Sequence, residues 1–311
     1  MRPALHRLQI ARALPPRLSH ATSPAISQGE LFGRLGPLEV RLVNSRRELR
    51  IAQRLRYEVF YREMSAQASL TTHLRRLDED ELDAVCDHLL VFDTAADEGI
   101  GSASRIGGRR PKGVGTYRLL RQDVAARNGG FYSEGEFDIA PLIARRSPGY
   151  RFLELGRSCV LKPYRTKRTV ELLWEGLWSY ARRHHVDVMI GCASFEGTDP
   201  AAHAQALSFL HHNRLAPPEW RAAAHPHLRV GMDMLPKDRI DAKAALKALP
   251  PLIKGYLRLG AFVGDGAVVD HQFGTTDVLI VLPVEAIDPR YFGYFGAPSA
   301  EQKSAFRPAL S

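Results

Sequence analysis

Glu154 and Arg157 stand three residues apart in the stretch from Phe152 to Leu161, whose other residues are mostly those of a buried strand. A carboxylate can take a proton from an attacking nucleophile, and a guanidinium can hold a carboxylate through two parallel hydrogen bonds. Strict strand alternation puts these two side chains on opposite faces. Gly156 lies between them, and a bulge there adds one residue and brings both to one side. A bulge also turns a backbone N–H out of its ladder. Such a donor, aimed at a developing oxyanion, is worth roughly 3–4 kcal/mol to a tetrahedral transition state. The alternative is a mutual Glu154–Arg157 ion pair with a structural role.

Other charges stand where apolar residues are expected. Asn44-Ser45 can cap a helix from Arg46 to Met64, with an inward stripe of Leu49, Ala52, Arg56, Val59 and Phe60. A cation inside that stripe needs a partner or a ligand, unless it snorkels at the border. The acidic run around Asp78 leads straight into the buried-type strand His88-Leu89-Leu90-Val91-Phe92. Asp80 and Asp83 therefore sit at a sheet edge, where they could receive a cationic substrate or simply be solvated. His88 reads as a hydrogen-bonded structural residue. Arg118 shares a strand face with Val114, Thr116 and Leu120, a place that calls for a carboxylate.

The elements that must position these groups run from Tyr150 to Leu215. A strand at 152–161 passes through the basic turn Arg165-Thr166-Lys167-Arg168-Thr169 into a helix at 170–185, with Val170, Leu173, Trp174, Leu177, Trp178 and Ala181 on one face. A second strand spans 186–195, and Thr198-Asp199-Pro200 opens another helix. Two strands joined by a helix form a parallel pair. If they splay, an extended thioester can lie between them as a pseudo-strand. Strands are further expected at 38–43, 88–92, 113–120 and 277–282. Residues 122–150 read as a connector, and 242–259 as helical pieces broken at Pro250-Pro251.

The chain has 311 residues, 45% apolar and 25% charged, which suits a globular protein with no stretch of membrane-span length. The net charge of +9 permits nucleic acid, an anionic membrane or an acidic protein as partner. The cations are scattered and carry no nucleic-acid-binding signature, which disfavours the first. Cys86, Cys159 and Cys192 lack metal spacing and read as buried small hydrophobes; no metal site and no cofactor are expected. Residues 1–36, without an acid before Glu30, read as a disordered basic arm. Residues 37–297 form the folded domain and 298–311 a flexible tail.

Taken in order, these residues resemble a known family. The succession of elements is similar to the GNAT acyltransferase fold, an α/β (α+β) architecture with a mixed, largely antiparallel sheet, splayed central parallel strands and flanking helices. Arg56-x-x-x-Phe60, Asp80-x-x-Asp83, Tyr117-Arg118-Leu119-Leu120 and Glu154-x-x-Arg157 resemble the signature of acyl-homoserine-lactone synthases. The fuller likeness is to the bacterial ornithine lipid N-acyltransferases, through Cys86-Asp87-His88-Leu89-Leu90-Val91, Leu153 to Val160, Gly197-Thr198-Asp199-Pro200 and Leu249 to Gly260. That resemblance implies transfer of a 3-hydroxy fatty acyl group from acyl carrier protein to the α-amine of L-ornithine, giving lyso-ornithine lipid. It implies Glu154 as general base, Arg118 or Arg157 on the α-carboxylate, and Asp80 and Asp83 on the side-chain ammonium, with Arg56 and Phe60 in the same site.

The turn before the helix departs from coenzyme A-dependent relatives, because it holds no Gly to wrap a pyrophosphate. Arg165, Lys167 and Arg168 suit instead a single phosphodiester and the acidic surface of a carrier protein, unless backbone amides there still accept coenzyme A. A cytoplasmic enzyme is implied, with peripheral contact at the inner membrane open. Leu252, Ile253, Tyr256, Leu257 and Leu259 form the segment that could dock there. The rivals are an enzyme of the same fold acting on another amine, and a non-catalytic membrane adaptor.

Overall fold

A computed structural model describes residues 31–97 except 65, and residues 111–288 except 148. The expected tail, and all of the expected arm before Leu31, lie outside the described residues. The strand β1 (Leu31–Leu35) corrects the expectation that order begins at Leu38, since it pairs antiparallel with β2 (Leu38–Leu42) across a tight turn at Gly36. Helix α1 (Arg46–Tyr57) is capped by Ser45, as expected, and widens into a π-helical turn at Glu58–Glu63. A short helix α2 (Leu70–Arg75) and a 3-10 turn at Glu81–Ala84 lead into β3 (Asp87–Asp97) and β4 (Pro111–Arg121). The expected connector is built structure. It contains α3 (Gln122–Ala125), a 3-10 turn at Tyr132–Gly135, β5 (Phe137–Asp138) and α4 (Ala140–Arg146).

The central unit follows as β6 (Phe152–Val160), α5 (Lys167–Arg183) and β7 (Val188–Glu196). Asp199 caps the turn that opens α6 (Ala204–Arg214). Two minor strands, β8 (Ala223–Ala224) and β9 (Arg229–Val230), precede α7 (Ala242–Ala248) and α8 (Pro251–Leu259), which break at the Pro pair as expected. The hairpin β10 (Phe262–Asp270) and β11 (Thr275–Pro283) closes the described chain.

All these strands join one sheet in the order β1-β2-β3-β4-β6-β7-β11-β10-β8-β5, with β9 beside β10. The long neighbours are antiparallel except β6 and β7, which are parallel. One face buries Leu153, Leu155, Met189, Val278 and Ile280 under α5 and α8. Helix α5 crosses β2 so closely that a Cβ on Gly176 would lie 2.7 Å from Val40. Its buried stripe is Leu172, Leu173, Gly176, Leu177, Trp178, Tyr180 and Ala181, whereas Val170 is exposed; the helix begins at Lys167, three residues before the expected start. The other face is apolar around Phe152, Val188, Ile190 and Leu279. Between that patch and the one under α1 runs a charged strip. The expected membrane-docking segment is core instead: Ile253, Tyr256, Leu257 and Leu259 are all buried, because this face of α8 covers the sheet. No helix among the described residues is long and apolar enough to cross a membrane.

Candidate active site

The parallel pair holds for only three register positions, Phe152↔Val188, Leu153↔Met189 and Glu154↔Ile190. Beyond Glu154 the strands part. β6 stays with β4 and β7 stays with β11, so the sheet opens into a V whose edges are 155–160 and 191–196. The vertex is tight: a Cβ on Gly191 would lie 2.2 Å from the Leu155 carbonyl oxygen.

The bulge lies one residue beyond its expected place. Opposite β4, Thr116 faces Cys159 and Arg118 faces Gly156, leaving Arg157 and Ser158 together across from Tyr117. Arg157, not Gly156, takes the left-handed conformation, with φ of +49°. The consequence is the one the sequence suggests. The extra residue turns Arg157 onto the face that carries Glu154, and both meet Tyr132.

Glu154 is buried at the vertex and does not pair with Arg157. One oxygen accepts from the Tyr132 N–H at 2.8 Å; the other accepts from the Ser133 N–H at 2.7 Å and the Ser133 hydroxyl at 2.5 Å. Burial still pushes its carboxyl above the usual range, against the pull of these donors. The Arg157 guanidinium stacks between Tyr132 and Phe273, with centroids at 4.9 and 4.5 Å. It reaches Asp80 at 3.3 Å and lies 3.5 Å from Asp78. Burial opposes its charge, but Asp78, Tyr132 and Asp80 together raise its pKa.

Beneath Arg157 lies a buried ionic network. Arg56 forks onto Asp83, Nη1 to Oδ1 at 2.9 Å and Nη2 to Oδ2 at 2.5 Å, and its Nε lies 2.8 Å from Asp78. Gln53 adds a hydrogen bond to Asp83 at 2.9 Å. Arg118 Nη1 meets both oxygens of Asp80 at 2.6 Å and Asp83 at 3.2 Å. Three arginines thus balance three aspartates. Asp83 cannot receive a substrate ammonium as expected, because it is buried and held by Arg56, Arg118 and Gln53. Asp80 is only partly open and faces Arg118 and Arg157. Arg118, expected as one of two carboxylate holders, is committed to Asp80 and Asp83. Phe60 packs edge-on against Phe273 at 5.8 Å, on the flank of the Arg157 stack. His88 is structural, its Nε2 lying 3.2 Å from the Asp83 carbonyl oxygen, and burial pushes it down to about 4.

The three basic residues of the turn part company. Arg165 is clamped by Glu63 through both terminal nitrogens and donates from Nε to the Val160 carbonyl at 2.9 Å. Lys167 and Arg168 are exposed in the first turn of α5, which Thr166 caps. Burial disfavours the thiolate at all three cysteines. Burial pushes the Cys86 thiol up to about 12 and raises Cys159 and Cys192 further.

Several site residues escape a sequence reading. Tyr132 and Ser133 sit in a stretch whose only sequence cue is Gly129-Gly130. Asp78 was hidden in an ordinary charge run. Glu136, Cys192 and Asp277 also line this face: Cys192 Sγ lies 3.4 Å from Ser133 Oγ and 3.2 Å from Glu136 Oε2.

A mixed sheet parted between two central parallel strands, with a carboxylate at the vertex, defines a GNAT-type acyltransferase, and residues 55–175 match the model of the Acetyltransferase (GNAT) domain family. The chain is 57% identical over 266 residues to the L-ornithine N(alpha)-acyltransferase of Agrobacterium fabrum, covering 86% of this chain and 87% of that one. It is 54% identical over 280 residues to the protein of the same name from Rhizobium meliloti, covering 90% and 91%. Among solved structures, the AHL synthase LasI aligns with a TM-score of 0.45 at 11% identity, covering 85% of this chain and 97% of that one. The chain belongs to the L-ornithine N(alpha)-acyltransferase family and is an acyltransferase.

Proposed function

We propose that this chain moves a 3-hydroxy fatty acyl group from the phosphopantetheine thioester of acyl carrier protein to the α-amine of L-ornithine, giving lyso-ornithine lipid. The observation that carries the reading is the parting of β6 from β7 just beyond Glu154, with Arg157 bulged onto the same face. The acyl chain and pantetheine arm lie along the V as an extended segment. Arg157, stacked between Tyr132 and Phe273 on the face that carries Glu154, holds the α-carboxylate of the amino acid. Glu154 takes a proton from the α-ammonium, directly or through Ser133 or a water. The freed nitrogen attacks the thioester carbonyl, backbone N–H groups along the parted edges stabilise the oxyanion, and the sulfur leaves with a proton. No acyl-enzyme is needed, and burial disfavours a thiolate at each cysteine.

The donor assignment rests on Lys167 and Arg168, exposed beside a helix N-terminus that lacks a Gly-rich turn. A carrier protein presents acidic surface and one phosphodiester to such a pair. The test is acylation of ornithine by the purified chain with matched 3-hydroxyacyl thioesters of carrier protein and of coenzyme A. Mass spectrometry of lipids from cells expressing the chain accompanies it. N-acylornithine formed from the carrier-bound donor supports the proposal. Equal or better use of the coenzyme A thioester overturns the donor assignment, and absence of any N-acylornithine overturns the whole.

A further inference from the structure

Three acids that the reaction above does not use face one another beside the V. One carboxylate oxygen each from Glu136, Asp270 and Asp277 lies within 4.8 Å of the other two. They come from three separate places: Glu136 just after the turn that caps Glu154, Asp270 at the end of β10, and Asp277 on β11. Asp277 is only 5% exposed, and its Oδ1 accepts no hydrogen bond from any described residue. A buried carboxylate oxygen without a donor is costly and points to a ligand that supplies one. Asp270 cannot be that donor, and its own Oδ1 is occupied by the Gln272 and Phe273 N–H groups. Burial, and then the charge of Asp277, push Glu136 up to about 7. Burial likewise pushes Asp277 up to about 6.

The cluster is tied to the reacting groups by a short relay. Glu154 accepts from Ser133, Ser133 neighbours Cys192, and Cys192 neighbours Glu136. An amino acid anchored by its α-nitrogen at Glu154 and its carboxylate at Arg157 would send its side chain past Cys192 toward these acids. We infer that Glu136, Asp270 and Asp277 form the subsite for the side-chain ammonium of the acceptor amino acid and so select a diamino acid over an uncharged one of equal length. This inference rests on the proposed reading of the reaction and replaces the roles that the sequence suggested for Asp80 and Asp83. A singly charged ammonium suits the site better than a divalent metal, because the field of Arg157 opposes added positive charge there and opposes a double charge more.

The test compares L-ornithine with L-norvaline, which has the same carbon skeleton but no terminal amine, as acceptors for the full chain and for Glu136→Gln, Asp270→Asn and Asp277→Asn. The wild type should prefer ornithine in kcat/KM by about 100-fold or more. Each variant should cut that preference by about 10-fold, mainly through KM for ornithine, as loss of one charged hydrogen bond does. Melting temperatures are measured alongside. Should Asp277→Asn fail to fold, the other two variants decide, because Glu136 and Asp270 are only half-buried. Retention of the wild-type preference in folded variants overturns the inference, as does a stoichiometric divalent ion whose chelation abolishes activity on both acceptors. Failure of the wild type to acylate ornithine at all is a separate result, which overturns the reading beneath it.

Discussion

Arg56 on α1 and Asp83, twenty-seven residues later, face each other in a two-pronged ion pair with N···O distances of 2.9 and 2.5 Å, both side chains almost wholly buried. Burial works against the charge on Asp83, but the hydrogen bonds and charge of Arg56 hold its carboxyl far below the usual range. A depressed folded pKa means that the pair's contribution is complete above the unfolded-state value of about 4 and is lost as pH falls from there toward the folded value. Asp83→Asn leaves Arg56 short of a counter-charge in the core and should cost about 3–5 kcal/mol. Urea unfolding at pH 7 and at about pH 2.5 checks both points: the gap between wild type and variant should narrow at the lower pH.

Glu154→Gln should keep the fold and lose turnover. The amide oxygen can still accept from Ser133, while the amide NH2 faces the Tyr132 N–H, a mismatch worth about 1–3 kcal/mol. The rate should fall by about 10²–10⁴, the usual range for a lost general base. Because burial raises the Glu154 pKa, wild-type kcat should climb with pH as the carboxyl ionises, and this limb should vanish in the variant. A variant that is unfolded by circular dichroism would make Glu154 structural.

Arg157→Lys should weaken binding of the amino acid while sparing the donor. Lysine offers no planar fork for a carboxylate and stacks less well between Tyr132 and Phe273. KM for the amino acid should rise by about 10- to 100-fold, and KM for the thioester should stay within about twofold, read from steady-state kinetics with each substrate varied in turn.

Gly191→Ala tests the vertex. The new methyl would overlap the Leu155 carbonyl oxygen, and backbone cannot rotate away as a side chain can. The strands must spread or shift, at about 1–3 kcal/mol. Thermal melts should show the loss, and KM for the acyl donor should change, because the width of the V changes with it.

Charge reversal at Lys167 and Arg168 should slow productive encounter with a carrier-borne donor. Both are exposed, so stability should move by less than about 0.5 kcal/mol. The penalty should shrink as salt rises, since steering between exposed charges is screened. Arg165→Glu should behave differently and lower the melting temperature, because it sets a second acid against Glu63.

The strands and helices that build the V were legible, and so were most caps. Buried-type apolar runs marked β6 and β7, a 3.6-residue period marked α5, and Ser45 and Asp199 marked helix starts, whereas the Thr166 cap of α5 emerged only from the structure. Gly156 signalled irregularity in β6, but a side-chain-free residue only permits a bulge. Where the extra residue settles depends on the register with β4, and it settled on Arg157. Strand β10, with Gly264 and Gly266 interrupting its alternation, gave no comparable signal.

What the chain's own order determined was the class of protein and the short list of charged residues in apolar settings, because local periodicity and unusual residue types are properties of neighbours in sequence. Which of those charges meet was decided only in three dimensions. Arg56 and Arg118 consume Asp83, Tyr132 and Ser133 take the Glu154 oxygens, and Glu136, Asp270 and Asp277 come together from three separate places in the chain. Ion pairing depends on distance and burial, and in a sheet this wide both are set by which strands lie side by side.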